Sequence, residues 1–158
     1  TASICQLRPT SRGSVRIRSA DPRAAPAIRY NYLATEHDRR TMIDGMRLLR
    51  RILEQPAIRP YIAAEHLPGA QVQSDDDWLA YFRDAGTTIY HPTCTARMGT
   101  GPDTVVDSQL RVKGLEGLRV VDASVMPAVV SGNTNAAVIA IAEKAADLIS
   151  GELSNFAQ

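Results

Sequence analysis

One stretch, LRVVDASVMPAVVSGNTNAAVIAIAEKAADLI at residues 118–149, constrains the fold more than any other. Val120 and Val121 sit in a β-branched run without helical spacing, which predicts a short buried strand. Pro127 and Gly132 interrupt the pattern and require the chain to turn between them. From Asn135 onward, Ala136, Ala137, Val138, Ile139, Ala140, Ile141 and Ala142 predict a helix apolar on nearly every side, and so a buried one. Ser131, Asn133 and Thr134 are capping types ahead of it, and Gly151 is the expected stop. A helix start facing a polar loop presents unpaired N–H groups and partial positive charge, which suit an anion or an electron-rich ring. This helix start, with Asn133 and Asn135, is therefore read as one wall of a site.

The remaining chain is an ordinary globular sequence of 158 residues, 44% hydrophobic and 22% charged, with net charge +1. That balance gives no electrostatic case for nucleic acid or an anionic membrane surface. No segment reaches the ~20 uninterrupted apolar residues of a membrane span, since Glu143, Lys144 and Asp147 break the nearest approach. Cys5 and Cys94 are expected to be free thiols. The opening residues do not read as a signal peptide. Thr1 is not an initiator methionine, so a leader or a whole domain can precede it. The compartment is left open, with the cytoplasm or a peripheral membrane position expected.

Taken in order, Val15 and Ile17 alternate with Arg16 and Arg18, a half-buried strand closed by Asp21-Pro22 and Pro26, and Ile28 to Tyr32 is a second extended piece. From Thr35 to Leu53, Met42, Met46, Leu49, Ile52 and Leu53 recur at helical spacing, with charged residues on the remaining face and Pro56 beyond the end. His37, between Glu36 and Asp38, reads as a surface residue of that charged face. Pro60 to Pro68 is a short helix or coil. Ser74 followed by Asp75, Asp76 and Asp77 starts another helix, because acids favour a helix N-terminus. The aspartate run has no histidine at ligand spacing and is not read as a metal site.

Residues 87–99, TTIYHPTCTARMG, form the second informative stretch. Pro92 holds His91 extended, and Thr87, Thr88, Thr93 and Thr95 surround it, a plausible seat for a catalytic base. On residue types alone a buried structural histidine is the stronger reading. Half a zinc site with Cys94 lacks paired partners, and a Cys–His or Ser–His nucleophile lacks a G-x-S-x-G elbow.

Together TTIYHPTCTARMG, VVDSQLRVKGLEGLRVVDAS and MPAVVSGNTNAAVIAIAEKAADLI resemble the C-terminal part of the glucose–methanol–choline oxidoreductases, flavoenzymes that oxidise alcohols. LRPTSRGSVRIRSADPRAAPAIRYNYL looks like the same family's substrate-domain segment, and within the family the sequence is most similar to the choline-dehydrogenase-like branch. The resemblance implies an α+β fold, an antiparallel sheet with helices packed on it. Residues 1–117 would belong mainly to the substrate domain. The strand–loop–helix unit of 118–151 would dock on an FAD-binding domain. It implies His91 as the catalytic base, Asn133 as the second catalytic position, and FAD contacts from Tyr90, Asp122, Ala123, Asn135 and Ala136. For Asn133, Asn135 and Asp122, helix or strand capping stands as the alternative role. The family usually reads Asn-Ala-Pro where this chain has Asn135-Ala136-Ala137, which bears on helix-start geometry.

The family's dinucleotide fingerprint, G-x-G-x-x-G, does not occur; Gly99-Thr100-Gly101 comes nearest and follows no strand. The expectation is therefore a C-terminal portion, expressed alone or shortened, that is inactive by itself and binds FAD weakly or not at all. Its partners would be an alcohol substrate and the missing FAD domain. Its bare docking surface could pair two copies into a homodimer. A non-catalytic module that kept the fold is the other function class. The substrate alcohol and the electron acceptor are not readable from these residues.

Overall fold

The computed structural model describes residues 1–156 along the backbone, with side chains through Gly151. It is a small α+β chain that divides into two compact units, one from Thr1 to Ile89 and one from Tyr90 onward.

The first unit opens with β1 (Ser14–Arg16) and β2 (Ala27–Arg29), antiparallel with Val15 opposite Ile28. Gly13 allows the return strand in close: a Cβ there would lie 2.2 Å from the Arg29 carbonyl oxygen. The alternation at Val15 and Ile17 predicted half-burial, and here the structure differs. Val15 and Ile28 are exposed and Ile17 is 91% exposed. A two-stranded ribbon needs a further layer to bury a face, and these side chains meet none among the described residues.

Helix α1 (Glu36–Leu53) follows the expected spacing, with Thr35 as N-cap accepting from the Asp38 N–H. Helix α2 (Asp75–Ala85) begins in a capping box: the Asp77 N–H donates to Ser74 Oγ, and the Ser74 N–H donates to the Asp77 carboxylate. Between them lie a 3₁₀ turn, Arg59–Tyr61, and coil. Ile43 from α1 and Trp78 and Phe82 from α2 make the core, joined by Leu33, Met42, Met46 and Val72. Arg50, read as part of the polar face of α1, instead lies over the Trp78 ring at 4.4 Å and donates to the carbonyls of Val72 and Gly69 and to Glu65.

Asp38 is a second departure from the charged-face reading, being only 2% exposed. Its carboxylate accepts from the N–H groups of Thr10 at 2.9 Å and Ser11 at 2.8 Å, and from the Thr10 hydroxyl at 3.2 Å. Burial alone would raise its pKa. The Ser11 hydroxyl, the two N–H groups and the Thr10 hydroxyl outweigh it and hold the carboxyl well below the usual range.

In the second unit Val106, Leu110, Val125 and Ala145 are buried, with Met98, Val112, Val120, Val121 and Ile141 packed around them. The strand expected at 118–121 is reduced to one antiparallel bridge, Arg111 to Arg119, flanked by bonds from the Val112 N–H to Leu118 O and from the Val120 N–H to Leu110 O. Leu110, Gly114 and Gly117 all have positive φ, so the partner segment bends before a ladder can extend. Helix α3 (Asn135–Phe156) starts where expected but runs past Gly151, because one glycine lowers helix stability by only ~1 kcal/mol and supplies no stop by itself. Nor is α3 buried all round. Thr134, Val138, Ile141, Ala145 and Leu148 form one inward stripe, while Ile139 is 53% exposed. Among the described residues no helix is long and apolar enough to cross a membrane.

Candidate active site

Three backbone hydrogen bonds hang the His91 loop on the segment that leads to α3. The N–H groups of Cys94, Ala96 and Met98 donate to the carbonyls of Ala123, Ser124 and Val125 at 3.4, 3.0 and 2.8 Å. Residues 123–125 form a 3₁₀ turn capped by Asp122, whose Oδ1 accepts the Ser124 N–H at 2.7 Å. Tyr90 enters the loop with φ of 63° and Cys94 leaves it with φ of 71°, so the chain kinks on both sides of His91-Pro92.

The kinked loop brings the imidazole to the start of α3. Thr134 Oγ1 lies 3.0 Å from His91 Nδ1, and Asn133 Oδ1 lies 3.1 Å from Nε2. The helix's first turn fixes Thr134 in turn, since the Val138 N–H donates to its carbonyl at 2.9 Å. Both ring nitrogens are thus engaged by adjacent residues 42 and 43 positions away. The two contacts differ in kind. Thr134 is 8% exposed, whereas the Asn133 side is open to solvent. With Asn133 Oδ1 as acceptor, Nε2 carries the ring proton and Nδ1 accepts from Thr134; with the amide turned, Nδ2–H would meet a bare Nε2.

Of the other residues singled out from sequence, Tyr90 is 80% exposed and neighbours His91 in the chain. Asp122 turns to the backbone of its own 3₁₀ turn, the local role weighed for it. Ala123 is half-buried and gives its carbonyl to Cys94. Asn135 and Ala136 are exposed in the first turn of α3. Residues His91 and Asn133 are in direct contact; Thr134, read only as a capping type, completes the cluster. Cys5 and Cys94 are free thiols, and His37 and His66 are exposed. Among the described residues no group of three His, Cys, Asp or Glu side chains is placed to hold a metal. Cavities of about 430 and 230 Å³ lie in the first unit, lined by Asp44, Arg47, Arg50 and Trp78 and by Ile4, Met42, Gly45 and Leu48 respectively. No residue of the His91 cluster lines either one.

A family model described as GMC oxidoreductase matches residues 9–142. The chain is 48% identical over 150 residues to an oxygen-dependent choline dehydrogenase of Yersinia pseudotuberculosis serotype IB (strain PB1/+), covering 95% of this chain and 26% of that protein. Among solved structures, pyridoxine 4-oxidase from Mesorbium loti is 39% identical with a TM-score of 0.82, over 89% of this chain and 28% of that one. A formate oxidase of Aspergillus oryzae RIB40 is 34% identical with a TM-score of 0.87, over 94% and 26%. The chain spans about a quarter of the curated relatives it matches.

Proposed function

The chain belongs to the GMC oxidoreductase family, and from that premise we propose that it is the C-terminal catalytic portion of an FAD-dependent alcohol dehydrogenase, choline-like in substrate. The observation that carries this reading is the His91 imidazole held between Asn133 and Thr134 at the mouth of α3. Asn133 is exposed on the ring's Nε2 side, and Asn135 and Ala136 are exposed in the first turn of α3. That set fits one polar edge of FAD, with carbonyl and ring-nitrogen partners for amide and N–H groups and a helix end for negative charge. It encloses nothing, so the rest of the FAD cradle comes from residues outside this chain.

In the proposed reaction the alcohol O–H bond breaks and its proton passes to His91 Nε2. Asn133 turns its amide N–H toward the substrate oxygen as negative charge develops there. The oxygen lone pair forms the new C=O bond while the α-hydrogen departs with its electron pair, leaving an aldehyde. The chemistry that FAD would supply when bound is a two-electron acceptor for that hydride, at flavin N5. Asn135 and Ala136 would lie along the FAD edge, with Tyr90, Asp122 and Ala123 as further contacts. By itself the 158-residue chain would be inactive, and its exposed apolar residues, Ile139, Leu115 and Leu118, favour pairing of two copies. A monomeric mass at high concentration by light scattering would remove that last element.

The test is to express the longer protein containing this chain and record its visible spectrum. A yellow protein that bleaches on addition of choline or a simple primary alcohol is the expected result. A longer protein without flavin absorbance, or one whose turnover survives His91→Ala, would overturn the reading.

A further inference from the structure

We propose that Thr134 is a positioning residue for His91, holding the imidazole through Nδ1 so that Nε2 stays aimed at its proton donor. This rests on the reading of His91 as the base. The Thr134 hydroxyl lies 3.0 Å from Nδ1 and is nearly buried, so a lost partner there is not replaced freely by water. Three features make Thr134 a rigid mount. Its backbone is tied into α3 through the Val138 N–H, its β-branched side chain has few rotamers, and the loop bearing His91 is fixed by the bonds to residues 123–125.

The chemistry of the hydroxyl suits a ring that changes protonation state. A base that accepts at Nε2 carries its hydrogen on Nδ1 before the transfer and on both nitrogens after it. In both states Nδ1–H donates to Thr134 Oγ1, and the bond becomes charge-assisted once the imidazolium forms. In the other tautomer, with Nε2–H facing Asn133 Oδ1, the same hydroxyl rotates and donates to Nδ1. Thr134 therefore holds the ring plane through every state, while the exposed Asn133 amide is free to turn with the substrate. The hydroxyl next in sequence to His91-Pro92 is engaged elsewhere. The Thr93 hydroxyl sits 3.0 Å from Cys94 Sγ.

Two measurements test the assignment, on Thr134→Val and Thr134→Ser. In the 158-residue chain, nitrogen-15 NMR of His91 should show a hydrogen-bonded Nδ1 that changes in Thr134→Val and returns in Thr134→Ser. In the flavin-loaded longer protein, Thr134→Val should lower kcat roughly 10- to 100-fold, the loss expected for one hydrogen bond to a charged group. KM should move less than about threefold and Thr134→Ser should recover most of kcat. A role confined to starting α3 would instead lower the melting temperature and leave kcat per folded molecule and the His91 spectrum unchanged, which would overturn the proposal. So would a Thr134→Ser variant as impaired as Thr134→Val. Turnover that survives His91→Ala would sink the base reading itself, and the imidazole spectrum would still decide whether Thr134 holds the ring.

Discussion

Asp38 in the first unit and His91 in the second are each held beside a helix start by a threonine and by residues distant in sequence, and they finish differently. Asp38 is closed. Its carboxylate accepts from Thr10 and Ser11, each of its oxygens is engaged, and almost none of its surface meets water. His91 is held on both nitrogens, yet by groups that can reverse roles, a hydroxyl and an amide, and one of them is open to solvent. A group with a structural task is stabilised in one charge state. A group that passes protons, the role proposed for His91, needs partners that serve both its states. The contrast separates two polar clusters that look alike as lists of hydrogen bonds.

The largest effect expected from this contrast is on turnover. In the flavin-loaded longer protein, His91→Ala should lower kcat/KM for an alcohol by roughly 10²- to 10⁴-fold. The same change should cost only about 1 kcal/mol of unfolding free energy in urea titrations, the loss of the hydrogen bond to Thr134, because the ring is not part of either core. A melting shift comparable to that of an Asp38 variant would erase the distinction. Asp38→Ala is the mirror experiment. It strands the Thr10 and Ser11 N–H groups without an acceptor and should cost about 3 kcal/mol in a urea titration, with turnover per folded molecule retained.

Acid sharpens the same point. The hydrogen bonds to Asp38 depress its folded pKa, so its contribution to stability is complete above the unfolded carboxyl value near roughly 4 and is lost as pH falls below it. The stability gap between the natural chain and Asp38→Asn should therefore narrow below about pH 4; a gap that stays constant to pH 2 would contradict the assignment. The smallest effect belongs to the α2 cap. Ser74→Ala removes half of the capping box and should cost about 1 kcal/mol by thermal unfolding, without touching His91 chemistry.

Local signals in the sequence locate much of this molecule. Met42 and Met46 at helical spacing located α1, Ser74 ahead of three aspartates located α2, and Asn135 located the start of α3. His91 and Asn133 were paired only through the family resemblance, and the structure brings them into contact. What could not be read depended on long-range partners. Ile17 alternates like a half-buried strand residue, and nothing in its neighbours says whether a covering layer exists. Val120 and Val121 have strand chemistry, but their partner segment turns too sharply at Gly114 and Gly117 for more than one bridge. Asp38 resembled any acid in a helix's first turn, because the groups that bury it are 27 and 28 residues away. Thr134 was legible as a cap and not as a partner of His91, since the loop that delivers the imidazole is tied to residues 123–125 by backbone atoms that leave no mark in side-chain identity.

The clamp on Asp38 also decides how far the chain can be trimmed. Proteolysis or engineering that removes residues through Thr10 and Ser11 leaves α1 intact in sequence but takes away the donors that neutralise a carboxylate enclosed at its first turn. A shortened chain beginning at β1 would need to open that end of the helix to water or protonate the acid. Thr10, three residues before the first strand's approach at Gly13, is thus the last residue that trimming can reach without removing one of the Thr10 and Ser11 donors, even though no helix or strand begins there.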